Sequence, residues 1–530
     1  MKRRLLNSII MGLMTINVVV AADHTPGRPK LVVGIVVDQL RSDYLDYLRD
    51  LFGEKGFRRL MENGVYVKDL ELNADIKDPV AATALLYSGA YPKTNGIPAK
   101  EIYSPTLSKG VLPLEDKGSM GNFTQESLSP AGLRVSTISD EIAIDGAGFN
   151  SVYAISPDAQ QALIMAGHAG NCGVWINDAD GQWSSTAYYR DFPQFLSHRN
   201  RTMPLRQRLD TLRWVPALPT ERYPGISLIR KSEGFRHSFG KADRDIFKRF
   251  KTSAPVNTEV TDVAIHALRD LSLGKHRDAV DMLSVGYTAA PFDSPKGDAG
   301  ELELEDTYVR LDSQIARLLE EVDRQVGLSN SVIFLTSTGY YNDATITDPK
   351  YRIPTGDVTL RRIESLLNSY LSAKYGNGDY VKRVHGNQVY LDRQALEARG
   401  AKWETAGNEA RDFIIRMSGI SDARTLSDIL SDPSPTGALL RNSIDPKTSG
   451  DIFLTYTPGW NVVDDNGYPT ISIPQRTSTP PTPFLLLAPG IKPQTIMTPV
   501  DATAIAPTIT STIHIRAPNG AGDRPIVFQK

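Results

Sequence analysis

The chain has almost no cysteine, almost no net charge and no long apolar run in its body. Cys172 is alone among 530 residues, so no internal disulfide forms, and we expect a small buried side chain there. Lysine and arginine number 59 against 61 acidic residues, with no basic run, which excludes a nucleic-acid-binding surface. No stretch of about eighteen apolar residues follows the amino-terminal segment, so we expect no transmembrane span in the mature chain.

Metal-binding motifs are also scarce. The eight histidines form no HxH or HExxH pattern. Asp262 and His266 have the spacing of a ligand pair on one helix face, but Val263 and Leu268 alternate with them as in an ordinary amphipathic helix. We therefore expect a packing or surface role for that pair, and a structural hydrogen bond for His168.

The amino terminus has the composition of a secretory signal peptide. The segment MKRRLLNSIIMGLMTINVVVAAD combines a basic start, a mostly apolar stretch and a small-residue exit at Ala21 and Ala22. We predict cleavage near Ala22, which makes residues 1–22 the signal peptide and residues 23–530 the mature chain. An uncleaved anchor is the alternative.

A buried strand that ends in an acidic residue opens the mature chain. Leu31–Val37 is a continuous apolar run, Asp38 follows it, and a helical pattern begins at about Ser42. In α/β proteins the carboxyl ends of the strands border the crevice where ligands bind. Asp38 is therefore a candidate metal ligand, and helix capping or bonding to backbone donors is the alternative role.

Strands alternate with helices along the whole chain, which predicts an α/β layer fold around a mostly parallel sheet. A strand is predicted over about 65–72, and helices over about 42–63, 306–326 and 502–513. Three stretches have the composition of insertions or of a small subdomain, at about 98–133, 191–255 and 354–449.

The second insertion is a candidate contact surface. Trp214, Tyr223 and Phe235 lie there among arginine and proline residues. Aromatic and arginine side chains are enriched at the cores of protein interfaces. We therefore expect these aromatic residues to be exposed and available to a partner.

Several ordered blocks of the chain resemble the alkaline phosphatase superfamily, in its exported bacterial branch of type I phosphodiesterases and nucleotide pyrophosphatases. The resemblance extends from about Pro29 to Lys530. It is carried by PKLVVGIVVDQLRSDYL, ALLYSGAYPKTNGI, AGHAGNCGVWINDADGQW, ELEDTYVRLDSQIARLLEEVD, SVIFLTST, KTSGDIFLTYTPGW and DATAIAPTITSTIHIRAPNG. It implies a three-layer α/β/α sandwich with cap-like insertions.

The resemblance also implies an active site with two zinc ions at strand ends beside a threonine nucleophile. Of the ligand positions, the first-strand aspartate is retained as Asp38. The nucleophile position falls on Pro79, the phosphate-binding asparagine on Lys100, and the cationic phosphate clamp on Asp158 and Gln160. The other ligand positions fall on Gly286, Ala290, Thr338, Gly339 and Ser472.

These replacements remove the chemistry of such a site. Proline has no hydroxyl, a single carboxylate is too few ligands for zinc, and Asp158 reverses the charge of the clamp. The stretch KDPVAATALLYSG instead predicts a helix with Asp78 as its N-cap and Pro79 at its first position. Thr83, a turn inside that helix, is expected to pack or to bond to the backbone.

The replacements predict a catalytically inactive pseudoenzyme that binds neither zinc nor another cofactor. It would act as a scaffold or binding subunit for unidentified envelope proteins, in the periplasm or at the outer membrane or surface of a bacterium. Two alternatives stay open. One is a metal-dependent phosphatase or phosphodiesterase with relocated site groups, and the other is a non-catalytic receptor for a small glycan or lipid in the old cleft.

Overall fold

A central sheet of ten strands organises the fold. The computed structural model describes residues 28–225, 234–240, 245–276, 279–294, 300–342, 356–445, 447–465, 471–474 (backbone only) and 479–529, so the predicted signal peptide lies outside it. Across the sheet the strands are, in order, β22 (Gln494–Ile496), β2 (Val65–Val67), β21 (Phe484–Leu487), β13 (Ser331–Ser337), β1 (Leu31–Asp38), β12 (Asp281–Thr288), β7 (Val152–Ile155), β8 (Cys172–Ile176), β9 (Trp183–Thr186) and β6 (Gly121–Asn122).

The middle of the sheet is parallel and fully buried. β1 pairs in parallel with β12 on one side and β13 on the other, and β12 continues in parallel to β7 and β8. Leu31–Val37 is buried without alternation, as in parallel strands that are covered on both faces. The predicted α/β fold with a mostly parallel sheet is therefore confirmed, with antiparallel pairs at β21, β9 and β6.

The helices pack against this sheet and against a second, smaller unit. They are α1 (Ser42–Tyr47), α2 (Phe57–Asn63), α3 (Pro79–Ser88), α4 (Pro92–Asn95), α5 (Ile138–Asp145), α6 (Ala159–Ala166), α7 (Gln194–Thr202), α8 (Leu205–Thr211), α9 (Ile246–Lys251), α10 (Ala254–Asp270), α11 (Glu301–Gln325), α12 (Leu360–Tyr375), α13 (Arg393–Ala398), α14 (Trp403–Ile414), α15 (Leu426–Ser431), α16 (Pro435–Ser443) and α17 (Ile505–Thr512).

The continuous helix predicted over about 42–63 is wrong. It is interrupted between α1 and α2, where Asp312 of α11 accepts hydrogen bonds from the backbone N–H groups of Gly53 and Phe57, at 2.8 and 2.7 Å. A Cβ atom on Gly56 would lie 2.2 Å from the Asp312 carboxylate, so the close approach requires glycine there. The strand predicted over 65–72 is likewise divided, because only Val65–Val67 joins the central sheet.

Smaller sheets extend the core. They are β23 (Val500–Asp501) with β3 (Leu70–Glu71), β4 (Ile102–Ser104) with β5 (Lys109–Val111), β10 (Arg213–Trp214) with β11 (His237–Ser238), β14 (Asp357–Thr359) with β19 (Asn461–Asp464) and β20 (Ile471–Pro474), and β15 (Val381–His385) with β16 (Gln388–Leu391), β18 (Ile452–Tyr456) and β17 (Ile420–Thr425). A second hydrophobic core, built from buried side chains between Val358 and Val462, holds the last two of these sheets.

The aromatic residues of the stretch 191–255 do not form an exposed surface. Trp214 and Tyr223 are buried at 1% and 0% exposure, and Phe235 is partly buried. The Trp214 indole and the Tyr223 hydroxyl both donate to the Asp306 carboxylate, each at 2.6 Å. The expectation that these aromatic residues are exposed was wrong. A buried indole N–H or phenol O–H needs a hydrogen-bond acceptor, and Asp306 of α11 provides it.

The same stretch is held by a buried ion-pair network. Glu259 of α10 accepts hydrogen bonds from the guanidinium groups of Arg199 and Arg208. Burial opposes ionisation of Glu259, but these bonds outweigh it and hold its pKa at about 2. Within the residues that the structure describes, no helix is long and apolar enough to cross a membrane.

Candidate functional site

Asp38 lies at the carboxyl end of β1, where two hydroxyl groups hold its side chain. Thr338 Oγ1 donates to Asp38 Oδ1 at 2.9 Å, and the Tyr340 hydroxyl donates to the same oxygen at 2.7 Å. Burial raises the pKa of Asp38 to about 6, although these hydrogen bonds act in the opposite direction. The carboxyl group therefore titrates close to neutral pH.

The residue after Asp38 is held in an unusual backbone conformation. Gln39 has a φ of 60°, in the left-handed region that residues other than glycine seldom adopt. Its N–H donates to Thr338 Oγ1 at 2.9 Å, and its side-chain Oε1 accepts from the N–H of Asn342 at 2.8 Å. Backbone strain of this kind clusters at functional sites, and here it fixes the direction of the chain beside Asp38.

The start of α3 has the predicted form. Asp78 is the N-cap and accepts hydrogen bonds from the N–H groups of Val80 and Ala81, both at 2.9 Å, and Pro79 is the first helical residue. Burial raises the pKa of the Asp78 carboxyl. Thr83 Oγ1 donates to the Pro79 carbonyl at 2.6 Å, so its hydroxyl bonds to the backbone as expected.

Three of the family positions meet beside this helix. Lys100 Nζ lies 2.7 Å from Asp158 Oδ2, and Gln160 Nε2 donates to the Lys100 carbonyl at 2.8 Å. Burial opposes ionisation of Asp158, but the Lys100 ammonium outweighs it and lowers the pKa of that carboxyl. In turn the charge of Asp158 raises the pKa of Lys100. An ion pair thus occupies the place where the family has its phosphate clamp.

The remaining ligand positions are closely packed by neighbouring side chains. A Cβ atom on Gly339, which has a φ of 73°, would lie 2.1 Å from Leu72 Cδ1. A Cβ atom on Gly286, within β12, would lie 2.6 Å from Ser156 Oγ. Ala290 is buried just after β12. These positions have no room for the aspartate and histidine side chains of the family.

The other two predicted ligand positions have different surroundings. Thr338 directs its hydroxyl to Asp38, as described above. Ser472 belongs to β20, which pairs with β19 in a sheet separate from the central one. Its side chain lies outside the described part of the structure.

The donors of this cleft do not fit a pair of zinc ions. Among the residues that the structure describes, no three His, Cys, Asp or Glu side chains converge in a metal-binding arrangement. Asp38 Oδ1 already accepts hydrogen bonds from both Thr338 and Tyr340. Zinc sites in proteins use three or four Cys, His, Asp or Glu ligands.

The other residues considered from the sequence have structural partners. The Asp262 carboxylate pairs with Arg317 at 2.8 Å, and the His266 ring contacts Phe195 edge to face. His168 makes the expected structural hydrogen bonds, through Nε2 to the Leu133 carbonyl at 2.9 Å and through Nδ1 to Asp140. Cys172 is buried and free, and burial raises the pKa of its thiol to about 12.

Sequence reasoning missed Tyr340. It lies two residues after Thr338 in the stretch TSTGYYN, where an aromatic pair gives no recognisable motif. Its hydroxyl and the Asp38 carboxylate are 302 residues apart along the chain. Burial and the Asp38 charge raise the pKa of Tyr340, so this hydroxyl is a stable hydrogen-bond donor.

Comparison with known proteins gives a consistent match. Residues 32–480 match the family model of type I phosphodiesterase / nucleotide pyrophosphatase. Alkaline phosphatase PafA of Elizabethkingia meningoseptica is 25% identical over 545 residues, which cover 98% of each chain. Alkaline phosphatase PhoV of Synechococcus elongatus is 25% identical, over 94% of this chain and 92% of its own. The crystal structure of wild-type PafA superimposes with a TM-score of 0.80 at 24% identity, over 94% of this chain and 98% of that one.

Two expectations from the sequence are contradicted by these matches. PafA and PhoV, which match over nearly the whole length, are alkaline phosphatases, and the matched family is hydrolytic, so the interpretation as a non-enzyme is wrong. The expectation of no cofactor is also contradicted, because the family implies a metal. Both expectations equated the loss of the family's residues with loss of activity.

Proposed function

Because the chain belongs to the type I phosphodiesterase / nucleotide pyrophosphatase family, we propose that it hydrolyses phosphate esters with site groups that differ from those of the family. We call the site the Asp38 cleft and define it by Asp38, Pro79, Lys100, Asp158 and Tyr340. The family match over residues 32–480 supports hydrolysis. The observation that carries the site assignment is the Asp38 carboxyl, fixed at a strand end with a pKa of about 6.

Asp38 is suited to act as a general base. Above pH 6 its carboxylate is ionised and accepts a proton from the water molecule whose oxygen attacks phosphorus; the P–O bond to the ester group breaks, and the released alkoxide or phenolate takes a proton from the Asp38 carboxylic acid or from solvent. The Thr338 and Tyr340 hydroxyls hold the carboxylate in one direction, so little reorganisation is needed when the proton moves. Pro79 has no hydroxyl, and attack by water replaces the covalent step that a threonine would provide.

The charge of the cleft favours a phosphodiester over a phosphomonoester. The Asp158 charge acts on Asp38, and the Asp78 charge acts on Lys100 and Tyr340, whereas the cations that act on Asp158 are Lys100 and Lys251. A diester carries one negative charge at neutral pH and a monoester carries nearly two, so the monoester is repelled more strongly. The Lys100 side chain is 52% exposed and is the cation best placed to meet the remaining charge.

The family implies a metal ion. The residues that the structure describes do not form a site for this ion. The proposed roles of Asp38, Lys100 and Tyr340 therefore involve no step through a metal ion. Hydrolysis is to be measured both with a chelator and with added zinc.

The test compares two esters and three variants. Wild-type protein is expected to hydrolyse bis(4-nitrophenyl) phosphate faster than 4-nitrophenyl phosphate. Asp38→Asn should lower kcat by about 10²-fold or more, as the loss of a general base does. Pro79→Thr should stay within about threefold of wild type if the family nucleophile has no role, a change worth under 1 kcal/mol.

Asp43→Asn is the matched control, because Asp43 is an exposed aspartate just beyond the same strand. It should leave kcat unchanged. Absence of hydrolysis of both esters, with and without zinc, would refute the proposed function. A large gain from Pro79→Thr alone would show that the reacting groups are those of the family.

We also propose export, which the signal-peptide composition of residues 1–22 supports. Expression of the full chain in a bacterium, followed by mass determination, tests this. A mature product that begins near Asp23 is expected. An amino terminus still at Met1 in the periplasmic or membrane fraction would contradict cleavage.

A further inference from the structure

Residues 213–225, which we call the clasp segment, are fastened to α11 by a series of hydrogen bonds. Besides the two aromatic side chains already described, the N–H of Ala217 donates to the Asp306 carboxylate at 2.6 Å. In the opposite direction, Arg310 Nη2 donates to the Val215 carbonyl at 2.6 Å. The clasp segment therefore contacts α11 largely through polar side chains of that helix.

A pair of carboxyl groups meets the end of the clasp segment. The N–H of Gly225 donates to Glu305 Oε1 at 3.0 Å. A Cβ atom on Gly225 would lie 2.7 Å from Glu301 Cδ and 2.8 Å from Glu305 Oε1, so both carboxyl groups meet at this residue. Glu301 and Glu305 are one helical turn apart on the same face of α11. Like charges at this distance repel each other when both groups are ionised.

Glu305 is not neutralised as its neighbour Asp306 is. Both residues are buried at 0% exposure, and Asp306 accepts a hydrogen bond from the Arg310 guanidinium at 2.7 Å. Glu305 Oε2, by contrast, has no hydrogen-bond partner among the residues that the structure describes. A buried carboxylate without a partner is costly, whereas the protonated acid carries no charge. The geometry therefore favours a protonated Glu305 when the clasp segment is docked.

The proton of Glu305 is held up to near-neutral pH. Burial raises its pKa from 4.5 to about 7, the Gly225 N–H acts in the opposite direction, and the Glu301 charge adds to the rise. The pKa is thus higher in the docked state than for a solvated glutamate. The stabilisation that this proton gives to docking is therefore complete below about pH 4.5 and is lost as the pH rises through 7.

Within the described part of the chain, the side chains that face Glu305 supply no compensating cation. Glu301 faces it from the same helix, and Tyr44 and Tyr47 face it from α1. Both tyrosines are neutral at physiological pH, because burial raises the pKa of each. Tyr223, on the clasp segment, donates its hydroxyl to a different carboxylate of α11.

Two further charged pairs near the clasp segment already have partners. The Arg41 guanidinium donates to Asp43 at 2.9 Å, and His237 Nε2 lies 2.9 Å from Glu303 Oε1. The second pair joins β11, the strand partner of β10, to α11. It is a second titratable contact of this region, and it is unchanged in variants of Glu305.

We propose that the clasp segment is a pH-sensitive contact, which is docked on α11 while Glu305 is protonated and loosens when Glu305 ionises. The proton passes from the carboxylic acid to solvent, and the resulting carboxylate lies beside Glu301 with one hydrogen bond from Gly225. Loosening exposes the buried aromatic rings of the segment. The inference is independent of the proposed function, because neither glutamate belongs to the Asp38 cleft.

Hydrogen exchange of the intact protein, read by mass spectrometry on peptides from the clasp segment, tests this from pH 5 to pH 8. Wild type is compared at each pH with Glu305→Gln, because the intrinsic pH dependence of exchange cancels in the ratio. Glutamine keeps an acceptor for the Gly225 N–H and carries no charge, so this variant should stay docked. The ratio of the wild-type rate to the variant rate should rise on the order of 50-fold from pH 5 to pH 8. A ratio that does not change with pH would overturn the inference.

Two further variants make the test specific to the carboxyl pair. Glu301→Gln removes the neighbouring charge, so the loosening of the clasp segment should move to higher pH, as a less strained carboxylate near Gly225 is only formed at the expense of burial; the direction follows from the smaller gap between docked and solvated pKa, which also makes the total rise smaller than in wild type. Glu320→Gln is the matched control, because Glu320 is an exposed glutamate of the same helix that pairs with Lys55 at 2.7 Å, and it should follow wild type. Thermal unfolding midpoints at pH 5 confirm that the variants are folded. A rise in Glu301→Gln as large as that of wild type, or a loss of the rise in Glu320→Gln, would also overturn the inference.

Discussion

The Asp38 carboxyl is ionised at neutral pH at a cost to the folded state. Burial raises its pKa from an ordinary value of 3.8 to about 6, although Tyr340 and Thr338 donate to it. The folded protein therefore holds a proton at pH values where the unfolded chain has released it. The stability that this proton contributes is complete below about pH 4 and is lost as the pH rises through 6.

Substitution of Asp38 by asparagine removes that pH dependence. From pH 4 to pH 7 the free energy of unfolding of wild type should fall by about 2 kcal/mol relative to Asp38→Asn, since each pKa unit is worth about 1.36 kcal/mol and part of the effect is already lost at pH 4. Urea unfolding at a series of pH values measures the difference. Asp43→Asn should give a curve parallel to that of wild type. Parallel curves for Asp38→Asn as well would show that the pKa of Asp38 is near its ordinary value.

At the scale of the element, α3 begins at Pro79, the position that the resemblance assigns to the family's nucleophile. Asp78 caps the helix through Val80 and Ala81, and Pro79 supplies a first residue that needs no hydrogen-bond acceptor for its nitrogen. The local sequence therefore makes this position a stable helix start. As a consequence, the first residue of the helix has no hydroxyl group.

Removal of the cap should destabilise the protein by a small, measurable amount. Asp78→Ala leaves two backbone N–H groups without their acceptor and should lower the free energy of unfolding by about 1 kcal/mol. Asp78→Asn keeps an oxygen acceptor and loses the buried charge, so it should stay within about 0.5 kcal/mol of wild type. Urea unfolding measures both. An asparagine variant as unstable as the alanine variant would show that the charge, and not the cap, matters.

At the scale of the whole molecule, the two hydrophobic cores are joined by a buried carboxylate. Arg134 of the main unit forms two parallel hydrogen bonds with Asp445 of the second, at 2.7 and 2.9 Å. Asp445 is fully buried; burial opposes its ionisation, but the Arg134 guanidinium lowers its pKa overall. This paired charge joins the second unit to the main unit at Arg134.

Loss of this pair should loosen the second unit. Arg134→Met leaves the Asp445 charge buried and should lower the free energy of unfolding by about 2 kcal/mol, less than for a fully buried pair because Arg134 is partly exposed. In calorimetry we expect the second core to unfold at a lower temperature than the first. Lys93→Met is the control, since Lys93 makes an exposed bond to Asn442 in the same contact. A single unshifted transition in Arg134→Met would contradict the prediction.

The sequence by itself determined the features that depend on near neighbours. The apolar run that ends at Asp38, the capped start of α3 and the alternation of strands and helices follow from local periodicity and helix-end chemistry. The same local reasoning failed between α1 and α2, where Asp312 breaks a helix from 255 residues away. It also failed for Trp214 and Tyr223, whose buried partner is Asp306.

The tertiary structure alone decided how the cleft is built. Tyr340 reaches Asp38 across 302 residues, Lys100 pairs with Asp158 across 58, and Leu72 fills the space beside Gly339. No local pattern encodes these contacts, because each arises only when strand ends from distant parts of the chain meet at one edge of the sheet. For the same reason, the sequence motifs indicate which residues typical of the family are absent. Only the folded structure shows which side chains lie next to those positions.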